Sequence, residues 1–199
     1  LSDTHQPRQP RALGSTVLEG LVCLALGLSM AGCASALKEP PSVADIAPKE
    51  DSARNAPRSA DELLVEAEVE MSALPDAAAV ERARSLFLEA ATGCEAPLES
   101  YLGAARATAW LVEHVDDPAQ RKELATEGVQ IGQLCRQMHP DSEQCRYRLA
   151  LAVGQQARER PATALDGLDV MVSLLEELID DAPGLDRAGP HRVQHPARN

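Results

Sequence analysis

Two kinds of apolar pattern divide this chain. Between Leu21 and Met30 the apolar residues run together, whereas from Ser59 to about Pro183 they recur every three or four positions, the spacing of one helix face. Residues 34 to about 58 hold Pro40, Pro41, Pro48 and Pro57 among Lys38, Glu39, Lys49, Glu50, Asp51 and several Ser and Ala. Such a segment has too little apolar surface to offset the entropy of ordering its backbone, and reads as an extended tether. About 125 residues remain for one globular domain with a single core.

Within that domain the periodicity predicts helices throughout and no alternating strand pattern. Ser59 opens a first helix with Leu63, Leu64, Ala67 and Met71 on one face. Pro75 and Asp76 open a second, carrying Val80, Ala83, Phe87, Ala90 and Ala91, with Gly93 as its stop. A third is expected from about Leu98 to Val115. Asp117 is placed to cap a fourth with Pro118 at its first position, where the missing N–H is not needed, and that helix runs to about Met138. After a turn at His139, Pro140 and Asp141 a fifth reaches about Glu159. Pro161 opens a sixth that carries Leu165, Leu168, Met171, Val172, Leu175, Leu178 and Ile179.

The helix breakers are themselves periodic. Pro97, Pro140 and Pro183 are spaced by 43, as are Pro118 and Pro161. Residues 98–140 therefore align without gaps on 141–183, with Ala107 over Ala150, Ala109 over Ala152, Ala125 over Leu168, Val129 over Val172 and Ile131 over Leu174. A helical pair cannot bury its apolar face alone, so a repeated pair implies stacking. The alternative is a plain bundle in which the breakers coincide. The fold expected is all-α: a right-handed solenoid of helical hairpins, about six helices in all.

The N-terminal run has the anatomy of a secretion signal: Arg8 and Arg11 before it, an apolar core from Leu21 to Met30, and small Ala31 and Gly32 at its exit. It is shorter than the roughly 20 apolar residues of a spanning helix. Met30 to Cys33 resembles a bacterial lipobox, which implies cleavage before Cys33 and a diacylglyceryl group on its sulfur; in that family Ala34, in place of Asp, favours the outer membrane. The alternative is an ordinary signal peptide with an incidental Cys33. The organisation expected is a signal peptide over 1–32, a tether over 33–58, the helical domain over 59–183 and an irregular tail over 184–199.

A second resemblance rests on Tyr147 to Gly154 with its Tyr, Ala and Gly, on the turn His139 to Ser142 before it, and on Leu175 to Pro183 after it. These resemble a tetratricopeptide helix pair, with a repeat longer than the usual 34 residues. Together with the lipobox and the segment Ala182 to Val193, they resemble the TatT-type T-component lipoproteins that accompany bacterial TRAP transporters. The resemblance implies a further repeat after the Gly189 to Val193 segment. The sixth helix, apolar around much of its circumference, is thus expected either to belong to a truncated array or to dimerise through its uncovered face.

Charge narrows the partners. The chain has 19 basic and 31 acidic residues, and taking away residues 1–32 leaves 17 against 29, a balance of −12 either way. A nucleic-acid binder needs a basic stripe interleaved with aromatics, and neither is present. Acidity instead keeps a tethered domain away from anionic surfaces.

Candidate chemistry is sparse. Cys135 and Cys145 flank the His139–Pro140 turn at equal distances, so a helix hairpin can bring them within disulfide reach; otherwise they are two buried thiols, and Cys94 is an odd remainder. Metal spacing is absent, so neither metal nor cofactor is expected. His114, between Glu113 and Asp117, sits where a helix C-terminus favours an imidazolium and Asp117 has a capping task, which leaves no catalytic set. Gly128 and Gly132, four apart, suit close helix contact.

The function expected is a non-catalytic protein-interaction scaffold, anchored in the cell envelope through Cys33, with a protein partner held in the groove of stacked helices. Tyr101, Arg106, Trp110 and Arg148 are the candidate groove residues, with a core position as the alternative for Tyr101 and Trp110. The other reading is a periplasmic accessory of a TRAP-type transporter that binds or hands on a small ligand.

Overall fold

The computed structural model describes residues 42–47, 58–92, 95–186 and 189–190. The apolar run, Cys33, Gly93, Cys94, most of the tether and the end of the tail lie outside the described residues. Those described form six long helices and no strand: α1 Ala60–Met71, α2 Ala77–Ala90, α3 Leu98–His114, α4 Pro118–Met138, α5 Glu143–Glu159 and α6 Ala164–Asp181. A single helical turn, Val43–Ile46, packs on α4, and a 3-10 turn, Pro161–Thr163, leads into α6.

Local chemistry sets the helix starts. Ser59 Oγ accepts from the Glu62 N–H while the Glu62 carboxylate accepts from the Ser59 N–H, a reciprocal cap that also draws the Glu62 carboxyl below its ordinary range. Asp76 accepts from the Ala78 N–H and Asp117 from the Ala119 N–H, with Pro118 at the first helical position. Ser142 Oγ accepts from the Cys145 N–H and so starts α5. This cap places α5 two residues later than the 43-residue register expects, because its counterpart before α3 is Pro97, which has no capping hydroxyl. The second helices keep the register: Met138 and Asp181 end them.

Successive helices pack as hairpins, α1 with α2, α3 with α4 and α5 with α6, and each hairpin packs on the next. The odd-numbered helices also meet one another, α3 lying against both α1 and α5. This is the packing of stacked helical hairpins and is consistent with a solenoid. Leu63, Ala67, Val80, Phe87, Ala104, Leu111 and Leu124 belong to the core of the first four helices, while Val129, Leu149, Val153, Leu174, Leu175 and Leu178 form that of the last three.

Small residues let the helices approach. A Cβ on Gly132 would stand 2.9 Å from the Leu149 Cα, so α4 meets the backbone of α5 there. At Gly128 the nearest atoms, on Ala152 and Thr108, are 3.6 Å from such a Cβ, an ordinary contact. Gly103 of α3 lies directly under the Phe87 ring of α2.

At the α4–α5 turn Cys135 and Cys145 are joined by a disulfide with their Cα atoms 5.4 Å apart. Both are buried with Tyr101 and Leu134. Across the α2–α4 interface the buried Arg84 bridges Glu81 at 2.6 Å and Glu127 at 2.7 Å. Burial raises the Glu127 carboxyl above its ordinary range, with Arg84 opposing the rise.

The sixth helix has the uncovered face expected of it. Its buried positions are Leu174, Leu175 and Leu178, whereas Leu165, Leu168 and Val172 are exposed. Ala125 and Val129, the α4 counterparts of Leu168 and Val172, are each 1% exposed, whereas Leu168 and Val172 are 40% and 37% exposed. For Val129 and Val172 the difference is positional: Val129 is buried with residues of the following hairpin, and among the described residues α6 has no following hairpin against it; Ala125 is buried in the core of the first four helices.

These contacts give opposite signs for two neighbouring glycines. Gly132→Ala should lower unfolding free energy by about 1–3 kcal/mol, since backbone must shift to admit the methyl. Gly128→Ala should raise it by up to about 1 kcal/mol, the helix-propensity gain where space exists. Urea titration of both variants checks the pair; equal effects would contradict the packing described. Replacing both Cys135 and Cys145 by Ser should remove about 2–3 kcal/mol by the same assay, the loop-closure contribution of a short bridge.

Candidate binding groove

The odd-numbered helices present a common face, and a groove of ≈ 310 Å³ runs along it. Glu68 comes from α1, and Glu99, Leu102, Gly103 and Arg106 from α3. Gln144, Tyr147 and Arg148 come from α5, and Leu185 and Asp186 from the segment after α6 close one side. Helical spacing explains the selection: Glu99, Leu102 and Arg106 are three and four apart on α3, and Gln144 and Arg148 four apart on α5, so each set shares a face.

Two of the four candidate groove residues lie here. Arg106 donates to Glu68 at 2.6 Å and its guanidinium rests 5.9 Å from the centre of the Phe87 ring. Both partners of this pair are well exposed, so it orients side chains more than it stabilises. Arg148 is half-buried and has no carboxylate partner among the described residues. Glu99, at the start of α3, is likewise without an ionic partner among them. The groove thus holds an unmatched cation and an unmatched anion on neighbouring helices.

The other two lie elsewhere. Tyr101 is 1% exposed in the core, donates to the Ala91 carbonyl at 3.4 Å and meets the His139 ring edge-on; burial raises its phenol above the ordinary range. It stands five residues before Arg106, well round the helix from the groove face. Trp110 shares the stripe of Arg106 but one turn further on, past the groove, where its half-buried ring stacks on His114 at 3.8 Å. His114 Nδ1 is 2.8 Å from the Trp110 carbonyl oxygen, so the histidine is engaged within its own helix end.

The groove continues into an apolar shelf. Leu64, Val65 and Val69 of α1 form its floor, and Glu68 and Glu99 line both regions. Val65 and Val69 are exposed, at 68% and 64%. The amphipathic reading of α1 counted its buried stripe and missed this second one, although two valines four apart on an acidic helix were a visible signal.

At the far end of α3 and α5 a polar cleft holds a second set of charges. Arg158 pairs with Glu113 at 3.0 Å and Glu159 at 3.1 Å, while Arg121 reaches Glu159 at 3.1 Å and the Val115 and Asp116 carbonyls. Burial works against ionisation of Glu113 and of Glu159, but hydrogen bonds from Gln155 and Arg158 to the first, and from Arg121 and Arg158 to the second, hold both carboxyls below their ordinary range. Among the described residues no group of three or more His, Cys, Asp or Glu is arranged to hold a metal ion, and no helix is long and apolar enough to cross a membrane.

Fold and groove together define a class: an all-α protein of stacked helical hairpins with a concave face of mixed polarity. Comparison with protein-family models, with curated proteins and with solved structures finds no match.

The cleft has a pH signature. Glu113 and Glu159 are lowered in the folded chain, so their contribution is present above pH 4.5, the ordinary carboxyl value, and is lost as pH falls through the folded values. Arg158→Ala should therefore flatten the loss of stability between neutral pH and the acid limb, measured as urea midpoints across a pH series; an unchanged slope would show the cleft to be electrostatically inert.

Proposed function

We propose that this chain is a membrane-anchored lipoprotein of the bacterial cell envelope, with Cys33 as the lipidated residue, and that its helical-hairpin domain is a non-catalytic scaffold for a protein partner. A diacylglyceryl group and an amide-linked acyl chain on one residue supply the more than one chain that stable attachment takes. Signal anatomy favours the outer membrane, the domain facing the periplasm. What supports binding in place of catalysis is the groove: Arg148 and Glu99, unmatched among the described residues, beside an exposed shelf of Val65 and Val69. A peptide segment with apolar side chains and polar ends meets that combination, and stacked helices commonly use such faces.

A second reading draws on the groove's size. Its ≈ 310 Å³ is in the range of small-molecule sites, and a ligand with one anionic and one cationic group would match Arg148 and Glu99. This is the reading of a TRAP-type transporter accessory that binds or passes on a small ligand.

Both halves of the proposal are testable. Radiolabelled palmitate should enter the wild-type protein and not Cys33→Ala, and that variant should leave the membrane fraction. Cross-linking in intact envelopes should give a discrete adduct that Arg148→Glu weakens about tenfold or more, in line with loss of a central charged contact. Absence of any adduct would remove the scaffold reading, and adducts indifferent to Arg148→Glu would remove the groove as its site.

A further inference from the structure

The uncovered face of α6 lies apart from the groove and is independent of the function proposed for it. Leu165, Leu168 and Val172 stand 79%, 40% and 37% exposed there. With 100° between residues they form one stripe, bordered on one side by the buried Leu175 and on the other by acidic positions. The counterpart of Val172 shows what can cover such a position. On α4, Val129 is buried among Tyr147, Ala150 and Val153 of α5, the helix that opens the next hairpin. Val172 occupies the register of Val129 on α6, so this end of the stripe has the position of a seat for one further helix.

The charge around the seat selects its occupant. Helix α6 carries Asp166, Asp169, Glu176, Glu177, Asp180 and Asp181 and has neither Lys nor Arg. Asp181 is paired with Arg146, whereas Asp166, Asp169, Glu177 and Asp180 have no ionic partner among the described residues. Asp169 and Asp180 lie next to the apolar stripe on the helix circumference.

A second copy of this chain is a poor fit. Two α6 helices would bring the same carboxylates together. The other exposed apolar stripe, Val65 and Val69 on α1, is itself flanked by Asp61, Glu62, Glu66, Glu68 and Glu70, of which Glu66, Glu68 and Glu70 are paired with Arg58, Arg106 and Arg82. Like charges disfavour the first arrangement and an anionic membrane surface, and the α1 stripe, its arginines already paired, offers α6 no excess of positive charge.

We infer that the α6 face binds a basic amphipathic helix of another protein, its apolar stripe on Leu165, Leu168 and Val172 and its Lys or Arg residues against Asp169 and Asp180. The partner helix takes the place that α5 takes on α4, and prolongs the stack by one element.

Two synthetic helical peptides of about 18 residues, sharing one leucine stripe but flanked by lysines or by glutamates, test this by fluorescence anisotropy on the full chain. The lysine peptide should bind at least about tenfold more tightly, and salt should weaken it. Leu168→Glu and Val172→Glu should each weaken it about tenfold, although they add negative charge and so would strengthen mere charge attraction. Asp169→Lys with Asp180→Lys should shift preference towards the glutamate peptide, while Arg148→Glu, which acts on the groove, should leave the affinity of the lysine peptide for α6 as it is. Because all four α6 positions are exposed, the variants should keep the wild-type circular dichroism melt. Equal affinity for the two peptides, tighter binding by Leu168→Glu, or self-association in sedimentation that Val172→Glu abolishes would each overturn the proposal.

Discussion

A helical hairpin has an apolar face that it cannot cover by itself, and the whole architecture follows from where that cover comes from. In this chain it comes from the next hairpin, at distances that only small residues permit. Gly132 sits on the backbone of Leu149 and Gly103 under the ring of Phe87, while Ala67, Ala79, Ala83, Ala104, Ala107 and Ala150 are fully enclosed. Few aromatic residues are needed when helices approach this closely, because many short contacts replace a few large ones. The Cys135–Cys145 bridge acts at the same interface, holding the α4–α5 turn on which that approach depends.

Charged residues are arranged between the hairpins as well as within them. Arg84 to Glu127, Arg106 to Glu68, Arg121 to Glu159 and Arg158 to Glu113 join positions 38 to 45 apart in sequence, each pair linking one hairpin to its neighbour. Exposed pairs of this kind add little to stability. Their value is in register: a slip of α4 along α2 would part the buried Arg84 from Glu127 and leave it with Glu81 of its own helix alone, a larger cost than the loss of any surface pair. The small residues supply closeness and the ion pairs decide alignment.

The same stacking leaves two kinds of open surface. Between the odd-numbered helices it creates a concavity in which side chains from three helices converge, among them Arg148 and Glu99, which have no ionic partner among the described residues. At its end it leaves an apolar stripe with the register of an interior interface and the exposure of a surface. A protein built by repetition has such faces as a consequence of its construction, so partners can be recruited with little specialised chemistry. Among the described residues His114 is engaged in a stack, Asp117 in a cap, Cys135 and Cys145 in a bridge, and Glu113 in an ion pair.

Much of the fold was legible in the residues alone. The caps at Ser59, Asp76 and Asp117, the stop after Met138 and the 43-residue spacing are local or periodic, and local rules act on neighbours in sequence, so helix type and most boundaries could be read directly. The shift of α5 by two residues was readable only in part, since a serine four positions after Met138 competes with the proline register. Side-chain fates were another matter. Tyr101 and Arg106 are five residues apart on one helix, and no property of either says which faces a neighbour; α2 and the α4–α5 turn enclose the first, while α1 and α5 leave the second on a concave wall. Likewise Val129 and Val172 are the same residue in the same register, and one is buried because another hairpin lies over it while the other is not. Sequence by itself determined the helices and their repetition, because backbone hydrogen bonding and capping are settled within a few residues; only tertiary structure decided which faces meet, since burial is a property of the neighbour as much as of the residue.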